Sequence, residues 1–355
     1  MKNIFDYIEY YGTYSFREEN FNMMDSLIFA MLSYVEFQGI LSLGKRDSIS
    51  FNEACEKFLS TYSQKDFAKK NWLFPSSYRL ISMLKESKRY SYVHLSYYVN
   101  EVCNEGQFGA LTIRIPEVNI VYVSFEGTDS NVVGWKEDFE LVYDKPIYSQ
   151  KRACEYLNDT LGLFDKEVYV GGHSKGGNLA MYAYMNAKPF YKKKIRTVYN
   201  FDGPGFLDSV LSSASYLEME QKLINVYPEE SVIGMMLGHR DFIAVKSNAK
   251  AIMQHDAYSW QCFGKFLVNG ELSEKSKKFS ENLKTYLDGM SEEERKAFIT
   301  GFFKIFEKQK LSNIMQLKEY KFTQILSLIK DITGVSQSTR RNLIAILRLL
   351  IGSMK

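Results

Sequence analysis

Residues 168–184 read VYVGGHSKGGNLAMYAY: an apolar run enters four glycines around one serine and leaves as a helix-like pattern. A strand that turns at once into a helix lying on the same sheet brings backbone against backbone, and glycine leaves the room for it. Gly172-His173-Ser174-Lys175-Gly176 has the order G-x-S-x-G, in which serine occupies a sharp strand-to-helix turn and lifts its hydroxyl above the sheet edge. The helix predicted from Lys175 points its first N–H groups toward Ser174, so negative charge is favoured there. A phosphate-binding turn is the rival reading of such a junction. GGHSKGG, however, has neither the G-x-G-x-x-G nor the G-x-x-x-x-G-K-[ST] order.

The surrounding pattern predicts the sheet that this junction needs. Apolar spacing suggests helices over 21–38, 51–60 and 77–86. Three runs rich in β-branched and aromatic residues follow at 90–99, 109–115 and 118–125, separated by turn residues, and predict adjacent antiparallel strands. From residue 126 onward helix and strand alternate: a helix at 148–162, the strand EVYVGG, a helix at 175–187, a strand at 195–201, a helix near 206–224 and the strand KLINVYP. That alternation implies parallel pairing through right-handed crossovers. The expectation is an α/β-hydrolase-type α/β domain over 1–269, with N-terminal helices and a mixed, mostly parallel central sheet. A helical C-terminal appendage is expected over 270–355, opening with a capping box from Ser291 to Glu294. Its last stretch, RRNLIAILRLLIGSMK, is apolar nearly all round; burial is the ordinary reason, and peripheral contact with a membrane is the other reading.

Composition narrows the partners. With 45 Lys and Arg against 42 Asp and Glu, the net charge of +3 gives no field that argues for nucleic acid. Four scattered cysteines, Cys55, Cys103, Cys154 and Cys262, share no CxxC spacing, so neither a zinc site nor a disulfide framework is suggested. The first twenty residues lack the apolar core of a signal peptide and no run of eighteen apolar residues occurs, which makes a cytoplasmic protein the expectation. No metal or organic cofactor is implied, and nothing fixes the oligomeric state.

A serine hydroxyl needs a base to take its proton. Of four histidines, His94 falls on a strand well before the serine, and His173 sits inside the turn, where packing is expected of it. His239 and His255 both follow the parallel strands; His255, in IMQHDAYSW after a candidate last strand, is preferred. An acid must fix the imidazole. Asp202 directly follows the strand TVYNF and so lies at the same sheet edge as Ser174, although Asp before Gly203-Pro204 is also an ordinary turn cap. Glu229 and Glu230 follow the next strand, and Asp241 is a weaker option. For the oxyanion, the loop after VYVSF places Thr128 opposite the N–H of Lys175.

These motifs resemble a family. FEGTDS with Trp135 and Asp138 is similar to the F-R-G-[ST] … W-x-x-D stretch of fungal-type, class 3 lipases; GGHSKGG resembles their G-H-S-L-G-G turn, and HDAYSW their H-x-x-P-x-Y-W ending. Over roughly 20–265, including DGPGF and SVIGMML, the chain resembles the Mbeg-like family, a bacterial lipase-like branch. The resemblance implies Ser174 as nucleophile, His255 as base, and the N–H groups of Thr128 and Lys175 as oxyanion hole. Three positions depart from it: Glu126 replaces arginine, Lys175 replaces an apolar residue, and Glu-Glu-Ser stands where the lipases have Asp-Pro-Val. The last departure favours Asp202 over Glu230 as the acid. The reaction expected is hydrolysis of a carboxylic ester, lipid or smaller, through an acyl-enzyme; the alternative is a non-catalytic lipid-binding or scaffold protein on the same fold.

Overall fold

The computed structural model describes residues 2–309, apart from 41–43, 46, 72, 129–131 and 144, together with 336, 337, 340, 341 and 344. Eight strands make one sheet in sequence order: β1 (Ser48–Ser50), β2 (His94–Val102), β3 (Gln107–Ile115), β4 (Ile120–Phe125), β5 (Glu167–His173), β6 (Ile195–Phe201), β7 (Leu223–Pro228) and β8 (Ile243–Val245). β1 to β4 pair antiparallel and β4 to β8 parallel. This is the mixed, mostly parallel α/β sheet expected, with β1 and β8 as its short edge strands.

Helices α1 (Ile4–Tyr11), α2 (Met23–Leu32), α3 (Phe51–Thr61), α4 (Gln64–Lys70) and α5 (Ser77–Lys85) precede β2. α6 (Val132–Glu140) and α7 (Tyr148–Thr160) lie between β4 and β5, and α8 (Lys175–Asn186) and α9 (Pro189–Lys192) between β5 and β6. α10 (Asp208–Leu211) and α11 (Ala214–Glu220) precede β7, while α12 (Glu274–Asp288) and α13 (Glu292–Gln309) follow the sheet. The single helix expected near 206–224 is therefore two short ones. Ser213 caps α11 by accepting from the Tyr216 N–H, a local bond that competes with a continuous helix.

Alternation along the strands divides the core. In β4, Ile120 and Tyr122 join a cluster with α2 and the other N-terminal helices. Val121, Val123 and Phe125 face the opposite cluster, shared with α7 and α8. A third apolar cluster joins α12 and α13 to α6 and to the turn carrying Val232, Met235 and Leu237. The capping box expected at Ser291 is present: the Ser291 N–H donates to Glu294, and the Glu294 N–H to the Ser291 hydroxyl. The apolar stretch beyond Arg340 lies largely outside the described residues. Among the described residues no helix is long and apolar enough to cross a membrane.

The glycines at the end of β5 permit the crossing of α8 over β4. A Cβ on Gly176 would stand 2.1 Å from the Phe125 carbonyl oxygen, and one on Gly172 would stand 2.4 Å from the Gly176 carbonyl carbon. Both obstacles are backbone and cannot swing aside. Gly176→Ala should therefore destabilise the protein by on the order of 3 kcal/mol or more, read as a lower unfolding midpoint in urea. An unchanged midpoint would mean that α8 does not press on β4 as described.

Candidate active site

Ser174 links β5 to α8 with φ 58° and ψ −135°, a left-handed conformation that side chains seldom adopt. Its own N–H donates to the Phe201 carbonyl on β6 at 2.9 Å, which anchors the turn to the neighbouring strand. The residue is 7 % exposed and lines a cavity of about 130 Å³ at the carboxyl edge of the sheet.

His255 lines the same cavity, in the short helical turn after β8. Its Nδ1 lies 2.7 Å from Oδ2 of Asp202, which is fully buried at the end of β6. The other carboxylate oxygen of Asp202 accepts from the Ser231 hydroxyl and, at 3.2 Å, from the Gly234 N–H. With its remaining oxygen occupied, Asp202 presents one acceptor to the imidazole, which places the proton of neutral His255 on Nδ1 and leaves Nε2 as the basic nitrogen. Among the described residues no hydrogen bond joins the Ser174 hydroxyl to the His255 ring. Both groups line the one cavity.

A second histidine holds the first. His173 is fully buried, and its Nε2–H donates to the His255 carbonyl at 2.7 Å while the Tyr34 hydroxyl lies 2.9 Å from Nδ1. Burial lowers the His173 pKa well below its ordinary value, and the nearby His255 lowers it further. His173 is thus a neutral support, not a second base. Trp260 completes the support by donating from its indole to the Gln254 carbonyl at 2.7 Å. Tyr34 and Trp260 sit more than two hundred residues apart, and no local pattern in the sequence connects them.

Glu230, the alternative acid, is occupied elsewhere. Its carboxylate accepts from the Ala251 N–H at 2.6 Å and from the Gln254 side chain at 3.1 Å, bracing the turn that carries His255. His239 lies against Tyr227 and Phe242, away from the serine, and His94 lies 3.5 Å from the Ser48 hydroxyl on the β1 edge.

On the other side of the cavity, Thr128 follows β4 and is bound through its hydroxyl to Asp138 of α6 at 2.6 Å. The Lys175 ammonium is buried, donating to the Gln107 carbonyl at 3.0 Å and to Glu137 at 2.9 Å. Glu137 also accepts the Ser149 and Gln107 N–H groups, so this pair is embedded in further hydrogen bonds as buried ions require. Lysine after the serine is therefore a tie between α8, α6 and β3. The cavity wall itself is apolar, with Phe74, Trp135, Phe139, Ile233, Met236 and Ile252 contributing. Among the described residues no group of His, Cys, Asp or Glu is clustered to hold a metal ion.

The family of Mbeg1-like proteins matches residues 84–304, well over half of the sequence. The chain belongs to the Mbeg1-like family. That match begins near the end of α5 and runs into α13, later at both ends than the 20–265 suggested by the motifs. No curated protein matches. Among solved structures the chain is similar to the Lip2 lipase from Yarrowia lipolytica, with 12 % identity and a TM-score of 0.29 over 52 % of this chain and 73 % of that one, a likeness too slight to add to the geometry.

In this Mbeg1-like chain, burial raises the pKa of both acids that line the cavity, Asp138 and Asp256. Burial pushes the Asp138 carboxyl up to about 7, against the opposing effects of Lys175, Thr128 and His255. The folded protein thus holds a proton that the unfolded chain releases near pH 4. The stabilisation from that proton is complete below about pH 4 and is lost as the pH rises to about 7. Asp138→Asn keeps the shape without titrating. Its unfolding free energy should decline less than the wild type's across that interval, by on the order of 4 kcal/mol, in urea titrations at a series of pH values. Parallel curves would show that Asp138 is ionised throughout.

Proposed function

We propose that the protein is a serine hydrolase that cleaves carboxylic esters, with lipid acyl esters as the substrate class, through a Ser174-His255-Asp202 triad. The observation that carries this reading is the 2.7 Å pairing of His255 Nδ1 with buried Asp202, on the wall of the cavity that Ser174 also lines. Membership of a lipase-like family and the apolar cavity wall support it.

In this mechanism His255 Nε2 takes the Ser174 proton as the oxygen attacks the ester carbonyl, and Asp202 stabilises the imidazolium that forms. Developing negative charge on the carbonyl oxygen is met by the N–H groups of Thr128 and Lys175, the latter at the N-terminus of α8. An ionised Asp138 accepts the Thr128 hydroxyl's hydrogen bond and keeps it engaged. As the neutral acid it donates instead and leaves that hydroxyl available to the oxyanion. His255 then returns its proton to the leaving alcohol, and water resolves the acyl-enzyme by the same route.

A fluorophosphonate probe tests the reading on purified protein. Wild type should be labelled at Ser174, while Ser174→Ala and His255→Ala should not, and Asp202→Asn should lower ester turnover by roughly 1,000- to 10,000-fold. Folded protein that stays unlabelled with and without a lipid surface would favour the non-catalytic, lipid-binding alternative.

A further inference from the structure

At the end of the sheet opposite Ser174, the loop between α7 and β5 and the turn between α8 and β6 form one surface. Three large apolar side chains project from it: Leu163 is 70 % exposed, Phe164 90 % and Phe190 52 %. Lys194 ties the two segments together, donating to the Gly162 carbonyl at 2.8 Å and the Leu163 carbonyl at 2.6 Å while lying 4.6 Å from the centre of the Phe190 ring. Neither segment uses these apolar side chains to fill the core, and a turn of this kind forms readily with polar residues.

The charge around them is one-sided. Residues 188–196 read KPFYKKKIR, with five basic residues and no acid, and Lys166 adds a sixth from the neighbouring loop. Lys166, Lys188, Lys193 and Arg196 are exposed. The adjacent acids are already engaged: Glu218 faces Lys192 at 3.3 Å, Glu167 faces Arg196 at 3.8 Å, and Asp165 is bound to Arg114 at 2.8 Å. On a chain whose net charge is only +3, this is a local concentration of positive charge around an apolar tip.

We propose that this end of the sheet docks on an anionic membrane surface, with Leu163, Phe164 and Phe190 entering the boundary between head groups and acyl chains and the surrounding lysines meeting lipid phosphates. Aromatic and aliphatic side chains gain from leaving water at that depth, and basic residues gain from the surface potential outside it. Single-stranded nucleic acid offers the same phosphates, but it is bound by stacked rings, and Leu163 at the tip has no ring to offer. The contact is independent of the hydrolase reading and differs from the one expected of the C-terminal stretch.

Co-sedimentation of the full-length protein with vesicles tests it. Phosphatidylcholine vesicles containing phosphatidylglycerol should bind at least about ten-fold more tightly than phosphatidylcholine alone, and added salt should weaken that binding. The double variant Leu163→Asp/Phe164→Asp and the double variant Lys188→Glu/Lys193→Glu should each lose about ten-fold. Both change only exposed side chains, and circular dichroism verifies their folding. Equal binding to both vesicles, undiminished binding of the folded variants, or binding to a single-stranded oligonucleotide without binding to vesicles would each overturn the proposal. The second of these would move the contact to residues 340–355.

Discussion

The left-handed turn at Ser174 is the constraint around which the rest of the site is arranged. Non-glycine residues with positive φ cost on the order of 1–3 kcal/mol each, and the chain places one in each of the three segments that carry the candidate triad: Ser174, Asp202 and Ala251, at φ 58°, 51° and 50°. Each is fixed by a bond to a neighbouring segment. Ser174 donates to Phe201 at 2.9 Å, Asp202 donates to Val226 at 2.8 Å, and the Ala251 N–H donates to Glu230 at 2.6 Å. Neighbouring segments thus hold three turns that would not persist alone.

The polar groups behind the cavity follow from that arrangement. Bringing three turns together buries their backbone donors and acceptors, each of which costs free energy unless it finds a partner. Asn200 satisfies the turn at Gly203 through both ends of its amide, and Asn178 donates to the Pro204 and Gly205 carbonyls. His173, itself held by Tyr34, does the same for the turn at His255. Because Tyr34 comes from the chain just after α2, the N-terminal helices are part of the support for the candidate base. The α12 and α13 helices play a parallel part on the other side, sharing an apolar cluster with α6, which carries Asp138.

Much of this architecture was legible in the residues, for physical reasons that also explain what was not. Strands β2 to β7 announce themselves by β-branched and aromatic runs, and the G-x-S-x-G order needs a strand before it and a helix after it. Ser174, His255, Thr128 and Asp202 could be named because their places along an alternating chain put them at one sheet edge. Short elements such as β1 and α4 have too few residues for a period to stand out, and α6 is interrupted by Gly134 and charged residues. The separate duties of Asp202 and Glu230 depend on which carboxylate Ser231 and Gln254 engage, a tertiary matter that spacing does not encode. The supports Tyr34, Glu137 and Asn178 look like ordinary helical residues until their buried partners are known.

The most direct measurement is rapid-mixing release of p-nitrophenolate from a p-nitrophenyl ester, with intact-mass analysis of the quenched protein. The account predicts a burst of product matched by one acyl group on Ser174, absent in Ser174→Ala. Steady ester hydrolysis that persists unchanged in Ser174→Ala, with no acyl group on the protein, would contradict it.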